Sequence, residues 1–303
     1  MNFEEMANQL AAHPDYKVKR RLVPLLNFGS GTGGPSKRIL VLDTETTGLD
    51  WRAEKIIELA MLAVDIDLQT GLPVGPVEVY EGFEDPGRPI PPEITKLTGI
   101  TNQDVKGHQL DEATIKDMVE RADLIVAHNA GFDRPFVENR LEVFEHKAWA
   151  CSFAGIDWKA QGLGSAKLEF LCSELGWFYD AHRAQVDCHA LLRVLSSPLK
   201  DAEAKPLTGL QQLFKSAENA RTIVKAFGSP FETKDKLKAR GYRWDAEARV
   251  WSTAVKSAEA LDAESAWLKA QVYGGRSVKI GMEIQDALVQ FSSRSGKSSD
   301  RVL

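Results

Sequence analysis

Cysteine is scarce in this chain. Cys151, Cys172 and Cys188 are three in number and form no CxxC pair, which argues against a disulfide framework and against a thiolate zinc site. Reduced thiols in a cytoplasmic protein are the expectation. No apolar run approaches the roughly 20 residues that cross a bilayer, so no membrane association is expected. The start, Met1-Asn2-Phe3-Glu4-Glu5, has no basic stretch ahead of an apolar core, and secretion is not expected. An excess of positive charge is also missing. The net charge is -5, which by itself does not point to a polyanion as partner. No internal repeat is visible.

Charge is unevenly spread. Residues 1–200 hold 21 Lys+Arg against 30 Asp+Glu, a balance of -9, whereas residues 201–303 hold 17 against 13, a balance of +4. An acidic front region that handles a phosphate backbone needs cations to offset its own field. A basic rear region could supply that attraction itself.

Four regions follow from composition and periodicity. Residues 1–36 combine a short helix over 3–12 with the Gly-rich linker Gly29-Ser30-Gly31-Thr32-Gly33-Gly34. Residues 37–199 open on an apolar run, Ile39-Leu40-Val41-Leu42, that ends in Asp43 and suits a buried strand. Strands are expected over 55–67 and 77–83, then a helix over 111–122, a strand over 123–127 and helices over 132–144, 166–175 and 187–195. Three strands in succession, then strands alternating with helices, predict an α/β fold with a mixed sheet flanked by helices. The stretch Pro198 to Pro206 breaks the pattern and marks the expected boundary. Residues 200–291 read as a smaller basic α+β domain of split βαβ type. Residues 292–303 are Ser-rich and polar, and a disordered tail is expected there.

Three segments carry the chemistry: Asp43-Thr44-Glu45-Thr46-Thr47-Gly48, His128-Asn129-Ala130-Gly131-Phe132-Asp133 and His182-Arg183-Ala184-Gln185-Val186-Asp187. Asp43 and Glu45 project to one side of a strand end, and two adjacent carboxylates repel unless a cation lies between them. An ordinary strand-end turn would account for this segment taken alone. Oxygen ligands favour Mg²⁺ or Mn²⁺. Asp133 falls at a helix start, where an acid would also serve the helix dipole. His128 reads mainly as a structural hydrogen-bonder. Asp187 is expected to open the last helix, with His182 on the preceding loop placed to accept a proton from a water.

Together these segments resemble the three exonuclease motifs of the DEDD superfamily, in its histidine-bearing, DnaQ-like branch. Arg88-Pro89-Ile90-Pro91-Pro92-Glu93 through Thr101 is similar to the stretch that lies between the first two motifs. The resemblance spans about residues 37–197. It implies an RNase H-like fold and 3′→5′ removal of nucleotides with two divalent ions, Mg²⁺ or Mn²⁺. Asp43, Glu45, Asp133 and Asp187 would be the ligands and His182 the general base. The sister branch has a tyrosine four residues before its last aspartate, where Arg183 stands here. Two departures are Thr98, where members often have His, and Trp149-Ala150-Cys151-Ser152-Phe153, which lacks the usual Asp-Thr.

Thr46, Leu49 and Phe132 are the candidates for holding a terminal nucleotide. In the rear domain, Lys234, Lys238, Arg240, Tyr242, Arg243 and Trp244 interleave cations with aromatics, as single-strand binders do. A small fold that uses Trp244 and Trp251 as core is the competing explanation. The expected activity is hydrolysis from the 3′ end of DNA, single-stranded or frayed, with a DNA polymerase or repair assembly as partner. An exoribonuclease that trims RNA 3′ ends and a non-catalytic nucleic-acid tether are the alternatives.

Overall fold

The computed structural model describes residues 2–200 and 205–303, which form two compact units divided between Ser216 and Ala217. In the first unit, β1 (Ser36–Thr46), β2 (Ile56–Asp67) and β3 (Pro73–Phe83) pair antiparallel in succession. On the other side of β1, β4 (Leu124–Ala127) joins parallel, followed by a parallel β5 (Trp149–Cys151). The order is β3-β2-β1-β4-β5, the mixed sheet expected.

The central strands are apolar because both of their faces are covered. Ile39, Leu40, Val41 and Leu42 are fully buried, each contributing about 1.5–3 kcal/mol by leaving water. The flanking helices are α1 (Glu112–Arg121), α2 (Ala130–Arg140), α3 (Leu168–Glu174), α4 (Ala184–Leu195) and α5 (Gly209–Glu218). Helix α4 buries Ala184, Cys188, Leu191, Leu192 and Leu195, a helical stripe laid on β1 and β2. The Cys188 thiol lies 3.8 Å from the Val41 carbonyl oxygen and 3.6 Å from that of Ala60. All three cysteines are buried and free.

The Gly-rich segment is not a free linker. Strand β3 lies at the sheet edge, where its open backbone groups need partners. The amides of Val77 and Gly75 donate to the Leu26 and Gly29 carbonyls, at 2.9 and 2.7 Å, and Phe28 N–H donates to Gly75 at 2.9 Å. Asp67 accepts the Thr32 amide at 2.7 Å. Upstream, Arg20 and Arg21 pair in parallel with Trp177 and Phe178.

The division after Ser216 also corrects the boundary expected at residue 199. Pro198–Lys200 and Pro206–Thr208 pair as a short antiparallel ladder, and residues 201–204 of the expected break lie outside the described residues. Leu210 and Leu213 of α5 are buried, and Gly209 packs so closely on Leu195 that a Cβ would come within 3.0 Å of its backbone. That packing draws α5 into the first unit.

The second unit contains β6 (Arg221–Ala226), α6 (Lys234–Ala239), β7 (Arg243–Asp245), β8 (Val250–Val255), α7 (Ala258–Trp267), β9 (Lys279–Gln285) and β10 (Lys297–Val302). Its antiparallel order, β7-β8-β6-β9-β10, contains the split βαβ arrangement plus one further strand. That strand corrects the expectation of a disordered tail. A polar, Ser-rich sequence suits an edge strand exposed to water, and β9 offers it an unpaired side, from Lys279 opposite Val302 to Ile284 opposite Lys297. Val224, Leu237, Tyr242, Leu268, Tyr273 and Ile280 form the core. Among the described residues no helix is long and apolar enough to cross a membrane.

Deleting residues 297–303 from the full-length protein should therefore lower the melting temperature of the second unit by roughly 5–10 °C in calorimetry. An unchanged transition would mean that β10 adds nothing to the sheet.

Candidate active site

Strand β1 outruns its partner β4, and the site is built on the overhang. Pairing with β4 covers Ile39 to Leu42 only. Beyond it, the Thr44 amide and hydroxyl both donate to Asp133 Oδ1, at 3.1 and 2.9 Å. Asp133 sits in the first turn of α2 and is only 2% exposed, so it closes the sheet end while facing the cleft. Asp43 and Glu45 flank Thr44 and point to the opposite side of the strand.

Asp187 lies in the first turn of α4, which begins at Ala184 rather than at Asp187 as expected. Its carboxylate reaches back. Oδ2 accepts the amides of His182 at 2.9 Å and Arg183 at 3.1 Å, and Oδ1 accepts the Tyr179 hydroxyl at 3.0 Å. Asp43, Glu45 and Asp187 each place a carboxylate oxygen within 4.8 Å of the others.

Electrostatics follow from that crowding. Burial, then the charges of Asp133, Asp187, Glu45 and Glu58, push the Asp43 carboxyl well above its usual range. Glu45 is pushed up to about 8 by burial, with Asp187 and Glu58 adding repulsion. Asp133 rises to about 7 through burial, against the pull of the Thr44 hydrogen bonds. Asp187 is raised by burial too, although the Tyr179, Arg183 and His182 donors oppose the shift. Such a cluster of oxygen donors short of positive charge fits hard divalent cations.

One cleft of about 540 Å³ is lined by all five expected catalytic and ligand residues, Asp43, Glu45, Asp133, His182 and Asp187, and by Thr46, Leu49 and Phe132. Leu49 is 85% exposed at its rim, and Phe132 is backed by Phe136, with ring centroids 5.1 Å apart. Thr46 spends its hydroxyl within the turn, donating to Gly48 at 2.7 Å. His182 stands at φ 66°, a left-handed backbone that residues other than glycine seldom adopt. His128 also lines the cleft, with Nδ1 2.7 Å from the Ser152 hydroxyl, and burial holds its pKa down at about 4.

Several residues at the cleft escaped the sequence reading. Phe153 and Lys167 line it. Tyr179 stands eight residues before Asp187, outside any motif spacing, yet its hydroxyl bonds that aspartate. Glu58 is fully buried beside Glu45 in the β1–β2 register, and a lone acid inside the apolar run Ile56-Ile57-Glu58-Leu59-Ala60 was its one visible signal.

In the second unit the expected contact residues separate. Tyr242 is 3% exposed and belongs to the core, where a small fold needs aromatic volume, so it is not a surface contact. Trp244 is 50% exposed and packs on its cross-strand partner Trp251 at 5.6 Å. Arg243, its neighbour on β7, points to the other face. Lys234 and Lys238 share one side of α6, with Lys234 4.1 Å above the Phe231 ring. Arg240 is engaged by Glu264 at 3.1 Å and lies 5.0 Å from the Trp267 ring centre.

The model of the RNase T-type family, described as exonuclease, matches residues 40–195. A PolC-type DNA polymerase III of Listeria welshimeri is 38% identical over 122 residues, 40% of this chain and 8% of that protein. The 3′-5′ exonuclease DinG of Bacillus subtilis is 28% identical over 191 residues, 60% of this chain and 20% of that one. The chain thus spans a fifth or less of the length of either relative. Among solved structures, exonuclease X in complex with 5′ overhanging duplex DNA aligns with a TM-score of 0.40 at 23% identity, covering 59% of this chain and 99% of its own. The zinc-bound E. coli ExoI–ssDNA complex aligns at 0.46 and 16% identity, covering 73% and 63%. With the family model matching just over half of its length, from β1 to the end of α4, this chain belongs to the RNase T-type exonuclease family.

Proposed function

We propose that this protein is a 3′→5′ exonuclease that releases nucleoside 5′-monophosphates from single-stranded or frayed DNA. The observation that carries this reading is the meeting of Asp43, Glu45, Asp133, His182 and Asp187 in one cleft, three of them with oxygens within 4.8 Å of one another. The names of the relatives, a DNA polymerase and a 3′-5′ exonuclease, favour DNA and this polarity. By the same token the protein would work beside a DNA polymerase or in a repair assembly.

Two divalent cations, Mg²⁺ or Mn²⁺, held by Asp43, Glu45, Asp187 and Asp133 would lower the pKa of the attacking water and offset charge on the phosphodiester. His182, at the cleft mouth, accepts the proton of that water, and Asp187 fixes its backbone through the amide hydrogen bond. Phe132 and Leu49 offer apolar contact to the terminal base, and the Thr46 turn offers backbone contact. In the second unit, Lys234, Lys238 and Trp244 would hold the strand by charge and stacking.

Asp43→Ala should lower hydrolysis of a 3′-labelled single strand by roughly 10³-fold without unfolding the protein, and EDTA should do the same. Full activity of the purified variant would remove Asp43 from the site. Matched DNA and RNA oligomers in the same assay decide the sugar, and faster cleavage of RNA would overturn the DNA assignment.

The carboxylate crowding also sets a pH dependence. Glu45 has its folded pKa near 8 against an ordinary 4.5, so the folded chain binds more protons than the unfolded chain between those values. In EDTA the protein should therefore lose stability as pH rises from about 5 to about 8. Adding Mn²⁺ at pH 8 should restore it. Melting curves across that range test both statements, and a metal-free protein most stable at pH 8 would contradict them.

Combined Lys234→Ala, Lys238→Ala and Trp244→Ala should weaken single-strand binding about tenfold or more, with stacking on one aromatic worth roughly 1–3 kcal/mol. Affinity unchanged in fluorescence anisotropy would leave the second unit without this role.

A further inference from the structure

The loop that carries His182 meets helix α4 at Arg183. Its residue at φ 66° has no glycine freedom, and the next residue, Arg183, is the N-cap of the helix that bears Asp187. Something must keep this turn in place against its backbone preference.

Arg183 works in two directions there. Its amide donates to Asp187 Oδ2 at 3.1 Å, beside the His182 amide at 2.9 Å. Its guanidinium turns the other way, onto Glu58 Oε1, with Nε at 3.2 Å and Nη2 at 2.9 Å. The second oxygen of Glu58 accepts the Ala184 amide, at 3.0 Å, in the first turn of α4. Glu58 is fully buried and lies opposite Glu45 in the strand register. Glu81 at 3.5 Å and the Phe83 ring at 5.8 Å limit the movement of the guanidinium. One buried carboxylate thus joins the strand beside the Asp43–Glu45 pair to both the catalytic loop and the helix that presents Asp187.

We propose that Glu58 and Arg183 form a positioning bracket, which fixes Asp187 and His182 relative to Asp43 and Glu45 without touching substrate. The bracket rests on the metal-dependent mechanism given above. Its chemistry is a charge-assisted fork on a buried acid, an arrangement whose geometry a lysine cannot reproduce. Loss of the bracket lets the loop and the first turn of α4 relax by a fraction of an ångström, which is enough to degrade both cation binding and proton transfer.

The test uses full-length protein carrying Glu58→Gln, Arg183→Met or both. Calorimetric titration with Mn²⁺ and kcat and KM on a single-stranded oligonucleotide are measured beside the melting temperature. Each single variant should weaken Mn²⁺ binding and lower kcat by roughly 10–100-fold, with KM within about twofold. The double variant should be no worse than either single one, because one device cannot be removed twice. Arg183→Lys should recover only part of the loss. Parental Mn²⁺ affinity and kcat in the single variants would overturn the bracket, and so would losses that multiply in the double variant. If the parent itself binds no Mn²⁺ and cleaves equally well in EDTA, the metal mechanism fails and the bracket fails with it.

Discussion

Like charges held close together are the constraint around which the first unit is arranged. Asp43, Glu45, Asp133 and Asp187 come from β1, α2 and α4 and share one cleft. Burial lifts each carboxyl above its ordinary range, and repulsion from the neighbouring acids adds to the rise at Asp43, Glu45 and Asp133. Nothing in the cluster favours such closeness, so the cost is met by the packing beneath it. The apolar centre of β1 and β2 and the stripe of α4 laid against them fix the three elements before any charge is considered.

Each acid is then restrained locally and differently. Asp133 is fastened to Thr44, Asp187 to three donors ahead of its helix, and Asp43 and Glu45 to the pitch of their strand. These restraints use neutral donors; the Arg183 guanidinium beside the group binds Glu58 instead. Neutral donors orient a carboxylate without neutralising it, which preserves its attraction for a cation. The acidic balance of this domain is consistent on these terms, since a deficit of positive charge in the cleft is what draws a cation.

Local pattern told of this arrangement where the signal lay within a few residues. The alternation of Asp43 and Glu45 at the end of an apolar run gave their common direction, and the mixed sheet followed from strand succession. The βαββαβ order of the second unit was equally readable. What stayed hidden depended on distant partners. Glu58 meets a guanidinium 125 residues further on, a partner that no local pattern in β2 specifies. Tyr242 resembled a binding residue because spacing cannot separate an aromatic facing the core from one facing water. The Gly-rich segment and the Ser-rich tail were misjudged for a shared reason. Composition measures a segment's own preference for order, whereas both were ordered by an open sheet edge elsewhere in the chain.

The pairing of Leu26, Phe28 and Gly29 with β3 bears on where this family domain can be cut. The matched region begins at residue 40, yet the backbone that shields the outer margin of the sheet comes from before it. An excised fragment starting at that point would keep every acid of the cleft and still present a bare β-margin to its neighbours. Self-association through added strands is the hazard that the leading residues suppress. Their contribution is thus to close the outer margin of the sheet, which motif boundaries do not register.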